Sequence, residues 1–248
     1  MNFDCGMGGC RSRPDVRRRR ISQMKQTGTF THAKRKQESL LAPLERPALQ
    51  WLVRRFPSWV NSDHLTLLAI LSMFGAGLCF WGARFDILWL LGVPFALALN
   101  WFGDSLDGTL ARHRNQQRPR YGFYVDHICD CLSTAFIATG MALSGLMTPA
   151  MAMGVVIAFL MLSVEAYLAA YTLGRFNISV GYFSPTELRI MLAAGILALM
   201  RWPRAHIFGA DYLSLDVGGV CAIAVMGGMF IVLAIRHTRQ LFVEERLP

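Results

Sequence analysis

Residues 104–130, DSLDGTLARHRNQQRPRYGFYVDHICD, set four aspartates and four arginines between two strongly apolar segments. On a helix, residues three and four apart share a face. Asp104, Asp107, Gly108, Ala111 and Arg112 therefore stand together on the helix that the preceding apolar run predicts. Gly122, Asp126 and Asp130, each four residues after the last, share a face of the next helix. The basic turn 113–121 between them lets the two helices run antiparallel, with their acidic faces opposed.

Working outward, the chain has 248 residues, 54% of them hydrophobic and only 17% charged. Soluble domains carry about 25% charged residues. A spanning helix needs roughly 20 apolar residues, and six segments qualify, near 65–82, 87–111, 123–144, 149–173, 186–200 and 217–235. The expected fold is all-α: a polytopic membrane protein of six transmembrane helices behind a short interfacial amphipathic helix. That first helix is read from PALQWLVRRF, residues 47–56. Pro47 suits a first helical turn, and Ala48, Leu49, Trp51, Leu52, Val53 and Phe56 fall on one side as at a membrane surface.

The net charge of +9 is concentrated, with 13 of the 25 Lys and Arg lying before residue 61. If that end is cytoplasmic, six alternating spans leave only Arg84, Arg201 and Arg204 outside. The positive-inside bias therefore predicts cytoplasmic N- and C-termini and a cytoplasmic acidic cluster in the cell membrane. No apolar core follows the basic run as in a signal peptide. RPDVRRRR reads as an arm drawn to anionic lipid, at about 1 kcal/mol per basic residue, rather than to nucleic acid. The expected divisions are a disordered basic arm (1–38), the interfacial helix (39–60) and a catalytic membrane domain (61–248). The six cysteines show no zinc or CxxC spacing. Ser184, Pro185 and Glu187 read as a capping box opening the fifth span.

One aspartate deep in a spanning helix costs about 2.5–3.5 kcal/mol, and four together also repel one another. A positive group must sit among them. Oxygen-only ligands select hard cations, Mg²⁺ or Mn²⁺. Four carboxylates suit two ions about 3.5–4 Å apart, an arrangement that clamps a transferring phosphate. Gly108, Ala111 and Gly122 leave room for a bulky ligand, and Arg112 can fork onto phosphate oxygens. The competing reading is an acidic cluster neutralised by Arg112, Arg114, Arg118 and Arg120, which leaves the small residues unexplained.

DSLDGTLAR, a nine-residue interval and GFYVDHICD resemble the signature of the CDP-alcohol phosphotransferases, with Asp104, Asp107, Gly108, Ala111, Arg112, Gly122, Asp126 and Asp130 at its fixed positions. The six spans and the interfacial helix are also similar to that family from about residue 40 onward. Ser62-Asp63-His64 departs from the Pro-Asn that many relatives carry ahead of Leu-Thr. The resemblance implies a homodimeric membrane enzyme that moves a substituted phosphate from a CDP-linked donor to an alcohol and releases CMP. It implies that Asp104, Asp107, Asp126 and Asp130 hold the metals. Asp130 would also be the general base. Asp104, Gly108, Ala111, Arg112 and Gly122 would line the CDP site.

Chain length and span number resemble members that use CDP-diacylglycerol and a polar acceptor in phospholipid biosynthesis. The alternatives are a CDP-amino-alcohol donor with diacylglycerol as acceptor, or an intramembrane prenyltransferase. A cation transporter fits less well, because transport sites lie near the midplane and these acids crowd one end. Glu165, at a depth matching Asp130, is expected to bind the acceptor. A helix-packing carboxyl bonded to a neighbour such as Tyr167 is its equal alternative. His127 points away from the Asp126 face and receives no role.

Overall fold

Turn formers and apolar runs divide the chain into helices close to where the sequence places them. The computed structural model describes residues 42–173, 185–207 and 209–245, all within one compact unit, 34–248. Helix α1 (Ala42–Val53) precedes α2 (Ser62–Gly82), and a 3-10 turn (Ile87–Leu91) leads into α3 (Gly92–His113). Then follow α4 (Pro119–Ser144), α5 (Pro149–Leu173), α6 (Pro185–Arg201), a hairpin of β1 (Arg204–Ile207) and β2 (Ala210–Leu213), and α7 (Ser214–Glu244).

The chain is an all-α polytopic membrane protein. Among the described residues five helices are long and apolar enough to cross a bilayer: Ser62–Gly82, Ile87–His113, Pro119–Ser144, Pro149–Leu173 and Ser214–Glu244. The fifth expected span is α6, with 17 residues. At 1.5 Å per residue it is about 26 Å long, shorter than the ~30 Å hydrocarbon core. The arm 1–38 lies outside the described residues, as does the Ser184 of the expected capping box.

Helix α2 is the centre of the bundle. Gly77 of α2 and Gly140 of α4 meet backbone to backbone, so a Cβ on Gly140 would collide with the Gly77 carbonyl. Gly103 of α3 likewise lies against the Leu65 carbonyl and Ala69 of α2. Lipid removes the hydrophobic drive between helices, and small residues that allow close van der Waals approach replace it. Inside the bundle, the buried Asn100 donates from Nδ2 to the Ala69 carbonyl at 3.1 Å. Ala76, Phe80, Leu90, Val93 and Leu97 form the core at one end. Leu49, Val53, Val60, Leu65, Leu106 and Leu110 form the core at the acidic end.

Two local expectations are corrected. Helix α1 starts at Ala42, so Pro47 is its sixth residue rather than a first-turn proline. Its apolar side is also divided: Leu49 and Val53 are buried against α3, while Trp51 is exposed with Arg55 over its ring at 3.5 Å. The β1–β2 hairpin was not anticipated. It closes through Gly209, whose φ of 82° needs a residue without a Cβ. Asn115, at φ 54°, follows α3 in the left-handed conformation, a common helix terminator. Arg114 beside it donates to the Pro57 carbonyl at 2.8 Å and to the Val60 carbonyl. It thereby fixes the α1–α2 connection to the end of α3.

Candidate active site

Helices α2, α3 and α4 bring Asp104, Asp107, Asp126 and Asp130 to one cleft, which Thr66 and Ala69 of α2 and Arg189 of α6 also line. Helices α3 and α4 do not pack as the direct pair that the sequence suggests: each packs on α2, through glycine contacts, and their acidic faces meet only at the cleft. Asp107 is the floor, only 8% exposed. Its Oδ2 accepts from Thr66 Oγ1 at 2.8 Å, and its carbonyl accepts from Ser62 Oγ at 3.0 Å. Asp104 and Asp130 stand at the exposed rim, with Asp126 between these extremes.

Arg189 donates to Asp104 Oδ2 at 2.6 Å, its own side chain only 18% exposed. Two of the four arginines that the competing reading required are engaged elsewhere. Arg114 is committed to backbone carbonyls, and Arg118 to Asp63 at 2.6 Å. The hydrogen-bonded carboxylate of Asp63 raises the Arg118 pKa above its usual value. Arg112 lies over Gly108, where a Cβ would come within 3.4 Å of its guanidinium, and donates to Thr109 Oγ1 at 3.1 Å.

The donor set of the cleft is carboxylate oxygen throughout. Among the described residues, however, no three Asp, Glu, His or Cys side chains converge closely enough to hold one ion. The partners already named give the reason: Asp104 is turned to Arg189 and Asp107 to Thr66. A larger hollow of about 450 Å³ opens one helical turn away, between the start of α2 and the α3–α4 turn. Ala111 forms part of its wall with Asn61, Asp63, Gln116 and Arg118. Its volume falls within the range of small-ligand sites, about 300–1,000 Å³. Gly122 faces open space, with nothing within 4 Å of where its Cβ would stand. At the start of α2, the Asn61 amide donates to His64 Nδ1 at 3.2 Å.

Glu165 lies elsewhere. It is 8% exposed and does not line the cleft; its Oε1 meets His237 Nδ1 of α7 at 2.5 Å. Tyr167, two residues on, faces α4, its ring 4.7 Å from that of His127. Two positions along a helix are about 200° apart, so α5 turns Tyr167 to the acidic helix and Glu165 to α7. Sequence reasoning missed Thr66 and His237 and did not pair Arg189 with Asp104. Thr66 and His237 carry no local signal, and Arg189 reads as an ordinary charge near the end of a span.

A helical membrane protein with a carboxylate-lined cleft at one end of its bundle is the class that these features define. The chain belongs to the CDP-alcohol phosphatidyltransferase family, whose model matches residues 59–236. It is also similar to cholinephosphotransferase 1 of Gallus gallus, 34% identical over 115 residues. That match covers 41% of this chain and 32% of the relative, so the chain spans about a third of the relative's length.

Proposed function

We propose that this chain is a phospholipid-synthesising transferase, moving a substituted phosphate from a CDP-linked donor to an alcohol and releasing CMP. The observation that carries it is the gathering of Asp104, Asp107, Asp126 and Asp130 on one cleft in a chain of this family. Two divalent ions, Mg²⁺ or Mn²⁺, would be held by those four carboxylates and, when bound, would neutralise the donor's pyrophosphate. The all-oxygen donor set fits them, with Asp104 and Asp107 exchanging their present partners for the metal.

Gly108, Ala111, Arg112 and Gly122 receive the CDP moiety, beside Asp104. Arg112, lying over Gly108, is placed to fork onto phosphate oxygens. Asp130, exposed at the rim, takes the acceptor's hydroxyl proton as that oxygen bonds to phosphorus and the bond to CMP breaks. The basic bias of the chain puts both termini and this cleft on the cytoplasmic side, and the working unit is a homodimer.

Two donor readings are separable. Chain length favours CDP-diacylglycerol with a polar acceptor; the likeness to a cholinephosphotransferase favours a CDP-amino-alcohol with diacylglycerol. Purified protein is to be given labelled CDP-diacylglycerol with a panel of alcohols, and separately CDP-choline or CDP-ethanolamine with diacylglycerol. Metal-dependent CMP release from one donor selects it. Release of diphosphate from a prenyl donor instead would select the prenyltransferase, and absence of any turnover would remove the enzyme reading.

Glu165, expected from its depth to serve the acceptor, is buried off the cleft and bonded to His237. Its role is therefore helix packing: Glu165→Gln is expected to leave the acceptor and donor KM unchanged and to lower the unfolding temperature. A raised acceptor KM would restore the acceptor-binding role.

A further inference from the structure

One carboxylate outside the signature joins three elements beside the cleft. Glu45, in the first turn of α1, accepts at Oε1 from Trp101 Nε1 at 2.9 Å and from Ser105 Oγ at 3.2 Å, both on α3. The same oxygen accepts from Thr186 Oγ1 of α6 at 3.3 Å. Each neighbour has a bearing on the acidic cleft. Ser105 directly follows Asp104. Thr186 stands one turn before Arg189, whose guanidinium reaches Asp104 at 2.6 Å.

The first turns of α6 are therefore latched to α3 at two points, Thr186 through Glu45 and Arg189 through Asp104. α1 itself is anchored by Leu49 and Val53, buried with Leu106 and Leu110 of α3. Its carboxylate is thus held by packing rather than left to a free side chain.

We infer that Glu45 is a positioning residue for the cleft: it holds the start of α6 against α3, so that Arg189 meets the Asp104 side of the site. Glu45 touches neither substrate nor the four aspartates. It acts through Thr186 and Ser105, and the inference rests on the reading of the cleft as the active site. Active-site geometry is sensitive to such supports, since a displacement of about 1 Å can cost on the order of a hundredfold in rate.

The test uses the full chain in detergent or nanodiscs, with two readouts. Hydrogen–deuterium exchange across residues 186–192 reads the latch without reference to any reaction. In Glu45→Ala, exchange there accelerates more than about tenfold, and CMP release falls about tenfold. Glu45→Gln, which keeps one accepting oxygen, restores most of both. Thr186→Val, removing the partner from α6, reproduces the exchange effect should Glu45→Ala fold poorly, and Arg46→Ala leaves both readouts unchanged. With Arg189→Gln already present, Glu45→Ala costs less than about twofold in rate, because the contact it serves is gone.

Unchanged exchange in both Glu45→Ala and Thr186→Val overturns the inference. So does a full tenfold loss from Glu45→Ala in the Arg189→Gln background, which would mark a general folding role. Faster exchange in the variants of a protein that releases no CMP supports the latch and overturns the transferase reading instead.

Discussion

Asp130→Asn leaves CDP-donor binding within about threefold of the wild type and lowers CMP release by about a thousandfold, within the range for a general base. Asparagine keeps the volume and one carbonyl oxygen of the aspartate but cannot take up the acceptor's proton. The site distributes its carboxylates unequally. Asp107 is buried at the floor and hydrogen-bonded to Thr66. Asp104 is paired with Arg189, and Asp130 is exposed at the rim. Retained binding is checked by equilibrium binding of a labelled CDP donor, and turnover by CMP release under saturating acceptor. Near-normal turnover would assign the proton to another group. Loss of donor binding together with turnover would make Asp130 chiefly a ligand-holding residue.

Gly140→Val is expected to be the most damaging change remote from the cleft. The added Cβ meets the Gly77 carbonyl and backbone across the α2–α4 crossing. A flexible side chain can yield to such a contact, but two helix backbones must separate to relieve it. The loss is put at about 3 kcal/mol, the upper part of the usual cost of overpacking. It should appear as a lower unfolding temperature and a poorer yield of monodisperse protein. Because α4 carries Asp126 and Asp130 and α2 carries Thr66, activity falls with stability. Gly75→Ala is the control on the facing helix α2: a Cβ there meets nothing within 4 Å, and stability should hold. A Gly140→Val protein as stable as the wild type would mean that the crossing tolerates wider spacing than its small residues suggest.

The sharing of one cleft by the four aspartates was legible in one dimension. Spacings of three and four put each pair on one helix face, and a short turn keeps the two acidic ends close, although α3 and α4 meet through α2 rather than lying directly side by side. Helix limits were only partly legible: α4 opens at Pro119, inside the expected turn 113–121, and ends at Gly145, at φ 76°. The fifth span was less legible, because composition registers apolar residues without showing where a helix begins. Its described helix, α6, runs from Pro185 to Arg201.

By itself, then, the sequence determined the membrane class, the helical periodicity and the set of carboxylates, since each depends on the identity and spacing of near neighbours. Only the tertiary structure decided what surrounds those carboxylates. Thr66 reaches Asp107 across 41 positions, Arg189 reaches Asp104 across 85, and Thr186 reaches Glu45 across 141. It also turned Glu165 to His237, where depth along the helix alone had suggested the cleft. The rotation of one helix against another is set by which small residues meet at their crossing. That choice arises between chain segments far apart in sequence, and no local pattern records it.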